Sequence, residues 1–134
     1  MRRHAVLADT GPLFAVVDPD DQHHERAMRE GAKLAADGYS VVAAYPTLFE
    51  TYTLIHRRLG LVDAHRFLDE MRRRTGLITP TTDDFASACR LPRRYADQHL
   101  TVFDCLVAVL SNRLDLPIWT YDRDFDVLGS NVWR

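Results

Sequence analysis

Residues 4–12 read HAVLADTGP. The run HAVLA is short and apolar without polar alternation, which suits a strand buried on both faces, and Gly11 with Pro12 suits a turn that closes it. Such a strand delivers a carboxylate, Asp9, at its carboxyl end. The same pattern recurs outward from this stretch. YSVVAAYP (39–46) reads as a second buried strand, LITPT (77–81) as a third, and LPIWTYD (116–122) as a fourth that ends at Asp122. SNVWR (130–134) is a candidate short fifth strand.

The intervening segments read as helices. One runs from Gln22 to Asp37, with Asp18, Asp20 or Asp21 as cap and Gly38 as stop. Another runs from Pro46 to Leu59 and ends at Gly60. A third spans Ala64 to Thr75, with Asp63 as candidate cap and Gly76 as stop. TTDDFASACRLPRRYADQ (81–98) gives a helix broken near Pro92, and Thr101 to Leu114 gives the last. Strands alternating with helices define an α/β class, with a small, mainly parallel sheet of four to five strands flanked by helices. In such sheets ligand sites form outside the carboxyl ends of the strands.

A chain of 134 residues, 46% hydrophobic and 27% charged, fits a single domain, 1–134, with no linker and no internal repeat. Its longest apolar stretches are about ten residues, well short of the ~20 that cross a bilayer, so no membrane association is expected. The opening MRRHAVLADTG starts with two arginines but reaches an aspartate after only five further residues, too soon for a signal-peptide core, and a cytoplasmic protein is expected. A net charge of -2 argues against holding nucleic acid by bulk positive charge, though local arginine groups remain available. Cys89 and Cys105 show neither paired nor metal-ligand spacing and read as small buried or half-buried thiols.

Four acids stand out by position. Asp104 lies in TVFDCLVAVL (101–110), the most apolar helix, and its neighbours on the helix surface, Ala108 and Ser111, are small. Thr101-x-x-Asp104 also has the form of a capping box, although that box prefers the longer Glu or Gln. Glu50 lies opposite the core stripe Leu48, Tyr52, Ile55 and Leu59, where a solvated carboxylate near a helix start is the plainer reading. Arg57 falls within about 20° of Glu50 and about 10 Å along the axis. Asp9 and Asp122 each follow an apolar strand, where turn-forming aspartates are also common. Taken together, the four are better explained by convergence than by four separate local roles. Two carboxylates about 4 Å apart repel by about 4 kcal/mol at an effective dielectric of about 20, so a converging set must share protons or bind a cation. Hard oxygen donors without a His or Cys pattern point to Mg2+, with Mn2+ as the other choice.

Competing motifs fail on particular residues. TYDRDFDVLG (120–129) imitates the opening of a calcium loop, but Val127 stands where glycine is needed and Trp133 where glutamate is needed. A receiver domain needs a late lysine, and the only lysine is Lys33. A haloacid-type hydrolase needs an aspartate two residues after the first, and Gly11 stands there. His23 and His24 read as surface histidines rather than zinc ligands. No GxGxxG, GxxxxGK or GxSxG motif occurs.

LADTGPLFA, PTLFETYTLI, LTVFDCLVAVL and WTYDRDF resemble, in order and spacing, the four motifs of PIN-domain ribonucleases, and most of all the VapC-type toxins of bacterial toxin-antitoxin modules. The resemblance spans essentially the whole chain. It implies a Mg2+-dependent endoribonuclease that acts on RNA, forms a homodimer and is inhibited by a cognate antitoxin. It places the acidic catalytic and metal-binding site on Asp9, Glu50, Asp104 and Asp122, with supporting hydroxyls on Thr10, Thr101 and Thr120. Asp9, Glu50 and Asp104 would hold the ion, and Asp122 would complete its shell or position a second one. Asp124 and Asp126 crowd further acids around the last motif. Arg57 and the groups Arg72 to Arg74 and Arg93 to Arg94 are candidate RNA contacts, with solvated helix faces as the alternative. The rival readings are a non-catalytic PIN-like module that binds RNA or a partner, and a metal-dependent phosphatase or DNA nuclease using the same acids.

Overall fold

The computed structural model describes residues 4–134; Met1 to Arg3, which belong to the expected 1–134 domain and carry its two leading arginines, lie outside the described residues. The first strand, β1 (His4–Ala8), shows why an unalternating apolar run makes a central strand. Successive side chains point to opposite faces of a sheet. Val6 and Ala8 therefore enter one core cluster and Leu7 the other, all at 0% exposure.

The remaining elements follow as α1 (Thr10–Val17), α2 (His24–Ala36), β2 (Tyr39–Ala44), α3 (Tyr45–Leu59), α4 (Leu61–Arg74), β3 (Gly76–Ile78), α5 (Thr82–Arg94), α6 (Val102–Leu114), β4 (Ile118–Trp119) and α7 (Asp124–Val127). The four strands are ordered β3-β2-β1-β4, and every pairing is parallel. Helices cover both faces, as a parallel sheet requires. On one face Phe14, Leu34, Leu48, Ile55, Phe67 and Met71 of α1 to α4 pack together; on the other, Ala88, Cys105, Leu106, Leu110 and Phe125 of α5 to α7 do so. From β1 the chain steps outward to β2 and β3, then returns to lay β4 on the other side of β1. The order thus reverses between β1 and β4, the position where open α/β sheets leave a crevice at their carboxyl ends.

The α/β architecture agrees with the sequence, and several local expectations need correction. The turn expected at Gly11 and Pro12 is the first turn of α1, which starts at Thr10 directly after Asp9. Proline is tolerated there because an amide in the first turn has no intrahelical partner to lose. α4 begins at Leu61 rather than behind an Asp63 cap. Gly60 serves both as the last cap of α3 and the first of α4, and Asp63 falls in the first turn. Gly76 opens β3 instead of stopping α4, which ends at Arg74 with Thr75 as its C-cap. Pro92 lies inside α5 without breaking it. SNVWR contributes one isolated parallel bridge, Ile118 to Val132, rather than a fifth strand. Cys105 is buried as expected, while Cys89 is exposed.

Candidate active site

The carboxyl ends of β1 and β4 lie side by side, since Ala8 pairs with Trp119 and the Asp9 amide donates to the Trp119 carbonyl at 2.9 Å. This pairing places Asp9 beside Thr120. Asp9 is the N-cap of α1, but its side chain makes no capping bond. Its carboxylate instead accepts a hydrogen bond from the Thr120 hydroxyl at 2.8 Å, and the same hydroxyl accepts from the Asp122 amide at 3.0 Å. Thr120 thereby ties the acid of the first strand to the backbone carrying the acid after the last.

α3 and α6 bring the other two acids. Glu50 sits on the exposed side of α3, opposite Leu48 and Ile55, and Asp104 is half-buried in the first turn of α6. Asp9, Thr10, Glu50, Asp104 and Asp122 line one shallow open concavity together with Gly11 and Tyr121. The four acids singled out in the sequence thus come to one place, from four separate elements. The capping question at Asp104 also resolves. Thr101 accepts from the Asp104 amide at 3.0 Å, but only that half of the box forms, unlike the complete box of Thr81 and Asp84 on α5. Thr101 caps the helix while the Asp104 carboxylate remains part of the concavity.

Beneath the concavity lies a layer of hydroxyls. Thr51 donates to the Thr47 carbonyl at 2.7 Å and toward the Thr10 hydroxyl at 3.5 Å, and both Thr47 and Thr51 are at 0% exposure. Neither was singled out from sequence, because their place on α3 reads as ordinary amphipathic filling. Asp124 was left undecided by the sequence. In the structure Asp104, Asp122 and Asp124 offer carboxylate oxygens that all lie within 4.8 Å of one another, whereas Asp9 and Glu50 are outside this tight group. Asp104 and Asp122 belong to both arrangements. The Asp124 amide also donates to Asp122 Oδ1 at 2.9 Å, which fixes the two acids relative to each other. Asp126 faces elsewhere, where it accepts from Arg134 at 3.0 and 3.1 Å.

The electrostatics follow from this crowding. Burial pushes the Asp9 carboxyl up to about 6; the Thr120 hydroxyl and the Thr10 amide oppose the shift, and Asp104 and Asp122 add to it. Burial likewise raises Glu50, with Thr10 opposing and Asp104 adding. Asp104 is raised by burial and by Asp122 and Asp124, against Thr101. Asp124 is raised by burial and Asp122, with His99 pulling the other way. Among the described residues none of these acids takes part in a salt bridge. An all-carboxylate donor set in which every shifted member resists ionisation fits a hard divalent cation. Arg57 lines the groove next to this concavity, together with Phe49, Glu50, Thr53 and Leu54.

A parallel α/β sheet with an acidic cluster at its strand-order reversal defines the class. The sequence matches the PIN domain family over residues 6–131, and the chain belongs to that family. VapC20 of Mycobacterium tuberculosis, described as a toxin that cleaves the sarcin-ricin loop, superimposes with a TM-score of 0.82 at 22% identity, over 93% of this chain and 95% of that one. VapBC2 of Rickettsia felis, solved with a DNA fragment from its promoter, gives 0.74 at 12% identity, with 97% of each chain covered. A toxin-antitoxin complex from Klebsiella pneumoniae gives 0.68 at 15% identity, with 96% of each chain covered. No curated protein is significantly similar in sequence. No helix among the described residues is long and apolar enough to cross a membrane.

Proposed function

We propose that this PIN-domain protein is a Mg2+-dependent endoribonuclease, Mn2+ being the alternative ion, and the toxin of a type II toxin-antitoxin pair acting in the cytoplasm. The observation that carries the reading is the convergence of Asp9, Glu50, Asp104 and Asp122 from four elements on one strand-end concavity with no basic side chain among its lining residues. A structural role would not require mutually repelling carboxylates to be gathered in this way.

Asp104 and Asp122, which belong to both acidic groupings, would be the principal ion ligands, joined by Asp9 and Glu50 from the concavity and by Asp124 from the tighter group. When bound, the ion supplies Lewis-acid chemistry, polarising a phosphoryl oxygen and acidifying water. The chain's own contribution is preorganisation. Thr120 holds Asp9 in place, Thr10 lies beside Glu50, and Thr101 anchors the helix turn that presents Asp104. Because Asp9 binds a proton up to about pH 6, protons and cation compete for the same carboxylate, and activity should fall on acidification through that range. A cognate antitoxin covering the cleft and a homodimeric assembly accompany this reading. The toxin-antitoxin complex among its structural relatives supports the former.

The decisive experiment offers total RNA to the wild type with Mg2+ and with EDTA, beside Asp104→Asn and Asp9→Asn. Cleavage is expected only in the wild type with Mg2+, while both variants keep the wild-type circular dichroism spectrum. Undiminished cleavage by both variants, from a clean preparation, would sink the proposal. RNA binding without cleavage by the wild type would favour a non-catalytic module, and DNA or phosphate esters offered in parallel separate the other hydrolases.

A further inference from the structure

The acidic concavity has no basic residue in its lining among the described residues, yet a phosphodiester must approach carboxylates that repel it. A guanidinium packed on one of its lining residues lies on α2. Arg26 places its Cζ 4.4 Å from the centre of the Tyr121 ring, and Tyr121 is one wall of the concavity, directly before Asp122. The tyrosine is itself fixed. Its hydroxyl donates to Glu30 Oε1 at 2.6 Å, and the Trp119 indole donates to the same oxygen at 3.1 Å. The second oxygen of Glu30 accepts from Arg26 Nε at 3.4 Å. The His23 ring packs against Tyr121 with centroids 4.8 Å apart, and the Gly11 position leaves the ring edge uncrowded, since even an added Cβ would stand 3.6 Å from it.

An ordinary ion pair four residues apart on a helix fixes neither partner. Here one carboxylate holds Trp119 and Tyr121 with one oxygen and Arg26 with the other, so Arg26 acquires a set position on the Tyr121 ring. Its Nε is engaged, but its terminal amino groups have no hydrogen-bond partner among the described residues, and the side chain is 49% exposed. A guanidinium carries most of its donors on those amino groups, in the planar fork that suits a phosphate. The aromatic face beneath it holds the cation without consuming those donors.

We propose that Arg26 contacts a substrate phosphate at the rim of the acidic concavity, seated on Tyr121, with Glu30 as the positioning residue that holds both. This rests on the nuclease reading for the identity of the substrate. It deepens that reading by giving the strand a fixed cationic contact on the α2 side of the site.

The test uses the full chain and two measurements. The first is initial rates of total-RNA cleavage with Mg2+ against RNA concentration. The second is filter binding of end-labelled total RNA in EDTA across a KCl series. Arg26→Ala should raise KM about tenfold with kcat within about twofold, as expected for loss of one charge-assisted hydrogen bond made equally in ground and transition states. Its log-log salt dependence of binding should be shallower by about 0.7, the change for one single-strand phosphate contact. Arg26→Lys should keep the wild-type salt dependence. Glu30→Gln, which keeps the charge on Arg26 but weakens its clamp, should raise KM by an intermediate factor without altering that dependence. A wild-type KM and salt dependence in Arg26→Ala, while the wild type cuts RNA, overturns the contact and leaves the nuclease reading intact. Binding without cutting by the wild type, with the shallower dependence still seen in Arg26→Ala, removes the nuclease reading and supports the contact.

Discussion

Asp9 shows how far one residue's chemistry depends on its surroundings. At 6% exposure, burial lifts its carboxyl pKa from 3.8 to about 6, with the Thr120 hydroxyl opposing the shift and Asp104 and Asp122 adding to it. A carboxyl raised on folding binds its proton more tightly in the folded chain. Its contribution to stability is therefore complete below its unfolded pKa and is lost as pH rises through about 6. The size is of the order of 3 kcal/mol at about 1.4 kcal/mol per pKa unit. Metal-free wild type in EDTA should accordingly lose more stability between pH 4.5 and pH 7.5 than Asp9→Asn does, measured by urea denaturation. Identical pH profiles would contradict the burial argument. Phe125 controls the site in another way. It is fully buried in the cluster beneath α6 and stands between Asp124 and Asp126. Phe125→Ala should cost about 3 to 5 kcal/mol and loosen the segment that carries Asp122 and Asp124. A melting temperature within a degree of the wild type would show that this anchor is dispensable.

At the scale of elements, two joints govern the frame. Gly60 turns the chain from α3 into α4 at φ 99 and ψ 177, a conformation open essentially to glycine alone. Gly60→Ala should destabilise by about 1 to 3 kcal/mol, read from the denaturation midpoint, although a Cβ there would meet no atom within 4 Å. The other joint binds α5 to α6. Asp84, 2% exposed, completes the capping box of α5 and accepts a bidentate pair from Arg113 at 2.7 and 2.7 Å. Arg113 and the cap hold the Asp84 carboxyl below its ordinary value, so this stabilisation is present at neutral pH and is lost as pH falls through the lowered pKa. Arg113→Met should lower the melting temperature at pH 7, with the gap to wild type narrowing at low pH once Asp84 is protonated; a gap independent of pH would assign the loss to packing. Neither joint was legible in full. Gly60 was visible as a helix stop, but its second role, starting α4, depends on a backbone angle. The pairing of Asp84 with Arg113 joins residues 29 positions apart, and local patterns carry no sign of it.

At the scale of the molecule, the reversal of strand order between β1 and β4 brings four scattered acids to one concavity. If a divalent ion relieves their repulsion, saturation at about 100 times its dissociation constant should stabilise the fold by about 2.7 kcal/mol, visible as a rise in melting temperature with Mg2+ or Mn2+. Indifference to both ions would count against a preformed site. The sequence by itself determined the α/β class, the apolar runs of β1 and β4 that precede Asp9 and Asp122, the core stripe that turns Glu50 outward, and the four acids as candidates, although β4 is only Ile118–Trp119 and stops short of Asp122. Each of these depends on local periodicity or on residue type. Only the tertiary structure decided that α1 begins where a turn was expected, that Asp124 joins Asp104 and Asp122 while Asp126 turns to Arg134, and that Glu30 and Arg26 pack on Tyr121, which lines the concavity with the acids. The physical reason is separation along the chain. The Glu30 carboxylate meets Tyr121 across 91 positions and Thr120 meets Asp9 across 111. Such contacts come from the parallel register of β1 and β4 and the packing of α2 against the sheet, which local sequence patterns do not encode.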